Sequence, residues 1–193
     1  MHCKSENKFM TRIDDDQPYI IQVPEVFDNA KCTQLIQKIE SLKPSMAPIN
    51  TASGTRIRTD VRNNERVMFD DSVFAEEVFS KARDHVPSEM NGFNLVGANE
   101  RIRCYRYQPG MRFATHADGS FVRDENEMSF YSYLVYLNAD FEGGQTTFFT
   151  EPEVAIEPKT GWGLIFQHAI IHEGSEVTSG VKYVARTDLM YRK

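Results

Sequence analysis

The chain has 193 residues, 40% of them hydrophobic and 26% charged, with 22 Lys and Arg against 28 Asp and Glu for a formal net charge of −6. That is an ordinary globular composition, long enough to bury ~70% of the unfolded surface around a core of its own, and its acidic balance supplies no positive footprint for nucleic acid. Cys3, Cys32 and Cys104 are odd in number and form no C-x-x-C pair, which excludes a disulfide scaffold and a zinc finger and predicts reduced thiols in an intracellular protein.

Residues 1–17 are polar and charged with no apolar h-region, so the reading is a flexible tail, no secretory signal and cytoplasmic residence. No apolar run approaches the ~20 residues of a membrane span. Residues 18–193 then read as one domain with its catalytic part over about 95–193. Asp28 can cap a first helix whose apolar positions Cys32, Leu35, Ile36, Ile39 and Leu42 recur at three-to-four spacing until Pro44 forbids continuation. Asp70 and Asp71 open a second helix with Val73, Phe74, Val78, Phe79 and Ala82 as its stripe, Glu77 placed to pair with Lys81, and Pro87 beyond its end. His85 lies near that helix's negative end and reads as a surface residue. Between the helices, 55–69 is charged with Val and Ile interspersed, either a hairpin or an extended loop. Ten arginines from Arg56 to Arg123 are interleaved with as many acids, which predicts a mixed surface.

From Leu95 the pattern becomes short runs of Tyr, Phe, Val, Ile and Thr broken by Gly and Pro. Strands are expected near 99–107, 113–118, 129–138, 145–150, 153–157, 162–168 and 181–190, with turns at 109–110, 143–144, 158–161 and 174–180. Seven or eight short strands face to face, with two helices against one sheet, make a mainly β fold with supporting α, a double-stranded β-helix or jelly roll.

Chemistry concentrates in three places. His116-Ala117-Asp118 falls on an expected strand, where residues two apart share a face about 6.5 Å apart, close enough to converge on one ion. His172, after the apolar run 162–166, can return over that pair as a third ligand. Two imidazoles and one carboxylate on one face of an octahedron leave open positions, the donor set of non-haem iron(II) oxygenases; zinc with a bound water accepts the same ligands. Lys182, Val184, Arg186 and Asp188 share one strand face. An ammonium pointing into a sandwich requires an anion, and the distal carboxylate of a dicarboxylic acid chelated to the metal is the partner this geometry suggests, with the Tyr107 hydroxyl on the same carboxylate. Arg186 is the rival for that role, or pairs with Asp188 or reaches substrate. His168 reads as a core or supporting imidazole rather than a ligand.

The ordered set Tyr107-Gln108-Pro109-Gly110, His116-Ala117-Asp118, Gly143-Gly144-Gln145-Thr146, Pro158-Lys159-Thr160-Gly161 and His172-Glu173-Gly174, with Lys182 ten positions later, resembles the iron(II)/2-oxoglutarate-dependent dioxygenases, in their prolyl-4-hydroxylase-like branch. The resemblance covers about 95–191 and implies Fe(II) on His116, Asp118 and His172. It further implies 2-oxoglutarate on Lys182, Tyr107 and Thr146, O₂ as oxidant and ascorbate as an accessory reductant. Asp118 holds the carboxylate position, where Gly or Ala would open a halide site, so the implied reaction is hydroxylation coupled to decarboxylation of 2-oxoglutarate to succinate and CO₂. Phe113 stands where the branch often has tyrosine and Tyr183 where it often has tryptophan, and residues 62–66 occupy the place of its substrate-covering loop without its usual residues. The expected substrate is an amino-acid or peptidyl side chain or a small metabolite, with no nucleic-acid or membrane partner.

Beyond the resemblance, Arg103 shares the strand face of Tyr107, which suggests an anionic group on the substrate unless Arg103 pairs with a protein acid. Ser120, Phe121 and Arg123 can form the rim through which substrate enters. A zinc metallohydrolase gives no reason for Lys182 and Tyr107, and a non-catalytic jelly-roll binding module gives none for the triad. No heptad pattern or large apolar helix face points to a dimer, so oligomeric state stays open.

Overall fold

The computed structural model describes residues 12–17, 20–51 and 54–193. Both helices form where capping and periodicity place them. The Asp28 carboxylate accepts from the Lys31 amide at 2.7 Å and opens α1, Asn29–Ser41; the Asp71 carboxylate accepts from the Phe74 amide at 3.0 Å and opens α2, Ser72–Ala82. Each cap satisfies one orphan donor of the first turn, worth about 1 kcal/mol. The buried faces are Cys32, Leu35 and Ile39 on α1 and Phe74, Ala75, Val78 and Ala82 on α2. Val73, expected in the second stripe, is instead 77% exposed. Glu77 pairs with Lys31 of α1 at 2.7 Å, not with Lys81, because the adjacent helix offers a cation across the helix–helix seam.

Most of the remaining described chain forms two facing β-sheets, with two small two-stranded sheets beside them. The larger, of nine strands, runs in the order Ile20–Val23, Gly163–Gln167, Glu127–Tyr136, Lys182–Arg192, Arg101–Tyr107, Glu65–Asp70 and Ser45–Met46, with Phe93–Ala98 on the far end of Lys182–Arg192 and Glu89–Met90 beside it. The smaller runs Val154–Ile156, Thr146–Phe148, His172–Gly174 and Phe113–His116. This is the jelly roll expected, and period-two alternation separates its two cores. Outward-facing Ile102, Cys104, Tyr133, Val135, Ile165 and Ala185 pack with the helices; inward-facing Tyr105, Tyr107, Tyr136, Leu164, Phe166 and Val184 pack against Phe148 and Ile156 of the smaller sheet. Burying side chains of this size contributes ~1.5–3 kcal/mol each.

Several expectations are corrected. Residues 1–11 of the expected tail lie outside the described residues, but Asp14 is held: its amide donates to Gln167 Oε1 at 2.8 Å and its carbonyl accepts from Gln167 Nε2 at 2.9 Å. The strand expected from residue 99 begins at Arg101, since buried Asn99 turns the chain by accepting from the Arg101 amide on its side chain at 3.0 Å. The expected turn 174–180 contains the strand Val177–Ser179, paired with Glu142–Gly143. Within 55–69 neither expected form describes Glu65–Asp70, which is a sheet strand paired with Arg101–Tyr107, while Gly54–Arg56 pairs back on Ile49–Thr51. Cys32 and Cys104 are free and buried, and burial pushes their thiols up to about 11 and about 12, leaving them unreactive at neutral pH.

Candidate active site

The smaller sheet brings His116, Asp118 and His172 together. Antiparallel pairing places His172 directly opposite His116, and the Asp118 amide donates to the His168 carbonyl at 2.9 Å, which fixes the residue just beyond the strand. The three side chains offer ligand atoms all within 4.8 Å of one another. Each imidazole is oriented by its other nitrogen: Nδ1 of His116 donates to the Ala114 carbonyl at 2.8 Å and Nδ1 of His172 to the Ile170 carbonyl at 2.9 Å. A carbonyl only accepts, so the Nε2 lone pairs are left facing Asp118, at 3.7 and 3.8 Å from its oxygens. Burial, reinforced by the neighbouring His172, pushes His116 down to about 4, and burial lowers His172 as well. Both rings are therefore neutral donors at physiological pH. Burial alone would raise Asp118, but Arg186 and the imidazoles hold it well below the usual carboxylate range.

A cleft of about 430 Å³ leads inward from the triad, lined by Tyr107, Leu134, Thr146, Phe166, Lys182 and Val184 among others. Lys182 is 3% exposed; its ammonium donates to the Gly144 carbonyl at 2.6 Å and lies 5.3 and 5.4 Å from the ring centres of Tyr107 and Tyr136. Gly144 adopts φ +68°, and a Cβ there would sit 3.2 Å from Lys182 Cδ and 3.0 Å from Val177, so the turn that presents its carbonyl requires glycine. No carboxylate meets Lys182 among the described residues, and burial pushes it down to about 7. The Tyr136 hydroxyl and Thr146 Oγ1 are 2.7 Å apart. The donor set at one end and the unneutralised cation at the other fit a chelated metal and a dicarboxylate.

Residues 102–187 match the model of the 2OG-Fe(II) oxygenase superfamily, a span that holds the triad, Tyr107, Thr146 and Lys182. Over those residues the chain is similar to that superfamily. That superfamily is named for iron(II) and 2-oxoglutarate, and the triad and the buried Lys182 fit both. The jelly roll superposes on a viral collagen prolyl hydroxylase of Paramecium bursaria Chlorella virus-1 with a TM-score of 0.64, at 22% identity over 92% of this chain and 98% of that one. A Pseudomonas putida prolyl-4-hydroxylase gives 0.66 at 17% identity over 90% and 92%. A Trichoplax adhaerens prolyl hydroxylase in complex with a hypoxia-inducible-factor peptide fragment gives 0.66 at 15% over 88% and 82%. In sequence the chain is 26% identical over 133 residues to an uncharacterised protein of fowlpox virus, spanning 68% of this chain but only 31% of that protein's length.

The triad is backed by a charged network. Asp118 accepts from Arg186 Nη1 on Oδ1 and from Ser132 Oγ on Oδ2, both at 2.6 Å. His168, fully buried, contacts Ser132 Oγ through Nδ1 at 2.9 Å and Ser129 Oγ through Nε2 at 2.7 Å. Both its nitrogens are thus occupied, and it supports the site without facing it. Asp188, 1% exposed, takes Arg186 at 3.1 Å and Arg103 at 2.8 Å. Arg103 is therefore paired with a protein acid, the alternative to a substrate contact that the sequence left open, although it still lines the outer side of the site. Arg123 is not brought to the site: it pairs with Glu100 at 2.6 Å and Glu127 at 3.0 Å, while Ser120 and Phe121 do line the outer groove. Ser132 and Tyr136, which sequence reasoning missed, lie on the inward face of Glu127–Tyr136; their alternation with Tyr131, Tyr133 and Val135 was the available signal. No helix among the described residues is long and apolar enough to cross a membrane.

Proposed function

We propose that this chain hydroxylates an unactivated C–H bond of an amino-acid or peptidyl side chain, coupled to decarboxylation of 2-oxoglutarate. The observation that carries the reading is the pairing of the converging His116, Asp118 and His172 atoms with a buried, anion-free Lys182 in the same cleft. His116, Asp118 and His172 hold iron. Lys182 takes the distal carboxylate of 2-oxoglutarate, with Tyr107 and Thr146 as hydroxyl partners. Bound iron and 2-oxoglutarate supply the oxidising power and the oxygen atom. Ser132 and Arg186 keep the Asp118 carboxylate ionised and fixed, while Phe113, stacked on His116 at 3.5 Å between ring centres, and Phe166 hold the imidazoles and exclude water. The likeness to a prolyl hydroxylase solved with a peptide supports a peptidyl substrate.

The test is anaerobic titration of the apoprotein with iron(II) and then 2-oxoglutarate, reading the visible charge-transfer band of the chelate. A saturable band that disappears in His172→Ala is expected. Metal binding without a band would refute the assignment.

A further inference from the structure

Outside the triad the cleft widens into a groove of about 1230 Å³ lined by Arg62, Arg66, Arg103, Arg186, Phe121 and the triad's His116 and Asp118 among others. Strand register explains the gathering. Arg66 lies opposite Tyr105, and Arg103 lies opposite Arg186; opposed residues share a face, so side chains from three strands project to one side. Arg103 and Arg186 are neutralised by Asp188 and Asp118. Arg62 and Arg66 are not: among the described residues neither meets a carboxylate.

Arg62 is 5% exposed. Its guanidinium lies 4.3 Å from the Phe113 ring centre and 4.7 Å from that of Tyr105, and its Nε donates to Asn64 Oδ1 at 2.7 Å. Its Nη2 is buried with no hydrogen-bond partner. A buried, unpaired N–H on a cation costs a few kcal/mol, which an anion bound in the groove would recover. Phe113 in turn stacks on the His116 ring at 3.5 Å, so one aromatic ring separates the guanidinium from a triad imidazole. Arg66 is half-buried, and loss of water together with the like charges of Arg62, Arg103 and Arg186 disfavours its charged form, a disadvantage that an anion in the groove would relieve.

Resting on the hydroxylase reading above, we infer that the substrate presents a carboxylate to Arg62 and Arg66, as an acidic residue within about two extended positions of the one oxidised, since two residues span roughly 6.5–7 Å. Direct pairing with a guanidinium fork favours a planar carboxylate. The two arginines set which substrate is held and leave the oxidation itself to the metal centre.

The experiment uses the full chain loaded with manganese(II) and N-oxalylglycine, which binds without turnover. Fluorescent nonapeptides with Pro, Lys, Asn or Leu at the centre and Glu, Gln or Lys at the flanking two positions on each side are titrated, beside N-acetylglutamate and a single-stranded oligonucleotide. At least one Glu-flanked peptide is expected to bind tenfold or more tighter than its Gln twin, with salt weakening only the former. Arg66→Gln is expected to cut that preference to threefold or less while leaving the melting temperature and 2-oxoglutarate affinity unchanged; Arg62→Lys, which keeps the charge but loses the fork, gives an intermediate value. N-acetylglutamate matching the peptides would support carboxylate recognition and assign it to a small acid. Equal binding of Glu and Gln peptides, a preference that survives Arg66→Gln, or tighter binding of the oligonucleotide overturns the inference. The iron and 2-oxoglutarate charge-transfer band, recorded on the same preparations, separates failure of this inference (band present, no acid preference) from failure of the hydroxylase reading (no band).

Discussion

Replacing Lys182 by methionine tests the inner cleft through two opposite effects. The ammonium is buried, donates only to the Gly144 carbonyl, and falls from 10.5 to about 7 through desolvation. At about 1.36 kcal/mol per pKa unit that is roughly 5 kcal/mol held against the charged form. Between pH 7 and 10.5 the unfolded chain binds the proton that the folded chain has lost, so the apoprotein's stability rises with pH across that window. Lys182→Met removes the penalty and leaves the Gly144 carbonyl without its donor, a loss of about 1–3 kcal/mol. The variant without co-substrate should therefore be more stable at pH 7 by on the order of 3 kcal/mol, or ~6–12 °C in melting temperature for a chain of this size. With 2-oxoglutarate the order reverses. The distal carboxylate would be buried without a cation, at a cost of ~3–5 kcal/mol, so affinity should fall at least a hundredfold and ligand-induced stabilisation should vanish. In the wild type, affinity should be flat below pH 7 and decline up to about tenfold per pH unit above it, as the free protein loses the proton that binding needs. Calorimetric titration from pH 6 to 9 and thermal melts of both proteins read all three effects. A wild-type affinity that does not change with pH, or a variant that binds 2-oxoglutarate normally, would sink the assignment of Lys182.

Ser132→Ala should lower iron affinity about 10- to 100-fold, because it removes the 2.6 Å bond to Asp118 and one partner of His168; competition against a chelator measures it, and unchanged affinity would free the triad from its support. Asp188→Asn should destabilise the fold by ~3–5 kcal/mol in urea unfolding, since Arg103 and Arg186 both lose a buried counter-charge. Asp71→Ala should cost about 1 kcal/mol by the same method without altering metal binding, because the α2 cap lies on the outer layer, away from the cleft.

What the sequence revealed tracks how local each signal is. Asp28 and Asp71 cap helices through atoms three residues away, and the alternation around Tyr105, Val184 and Arg186 decides which core each joins, so both were legible. The strand Ile20–Val23 was not: it exists only because Gly163–Gln167, far along the chain, offers an open edge. The same holds within the site. The spacing of His116 to Asp118 is a strand period and His172 follows a strand end, whereas the collection of Arg62, Arg66, Arg103 and Arg186 in one groove depends on the register of three strands. Along the sequence these arginines are interleaved with acids and read as a mixed surface; across the sheet Asp118 is the one of those acids that lines the groove.

That register also decides between the two cations on the inward face of Lys182–Arg192. Arg186 stands opposite Arg103 and Leu134, which carries it to Asp118 and Asp188, and its fork is engaged by both carboxylates at 2.6 and 3.1 Å. It has no charge left for a third acid. Lys182 stands opposite Tyr107 at the other end of the cleft, with a single neutral acceptor and two phenol rings around it. A dicarboxylate entering the cleft therefore gains most by placing one carboxylate at the triad and the other at Lys182. The two aspartates that neutralise Arg186 thereby give the cleft a direction: its only uncompensated cation among the described lining residues lies at the end away from the proposed metal ligands, which orients an otherwise pseudo-symmetric ligand before any chemistry begins.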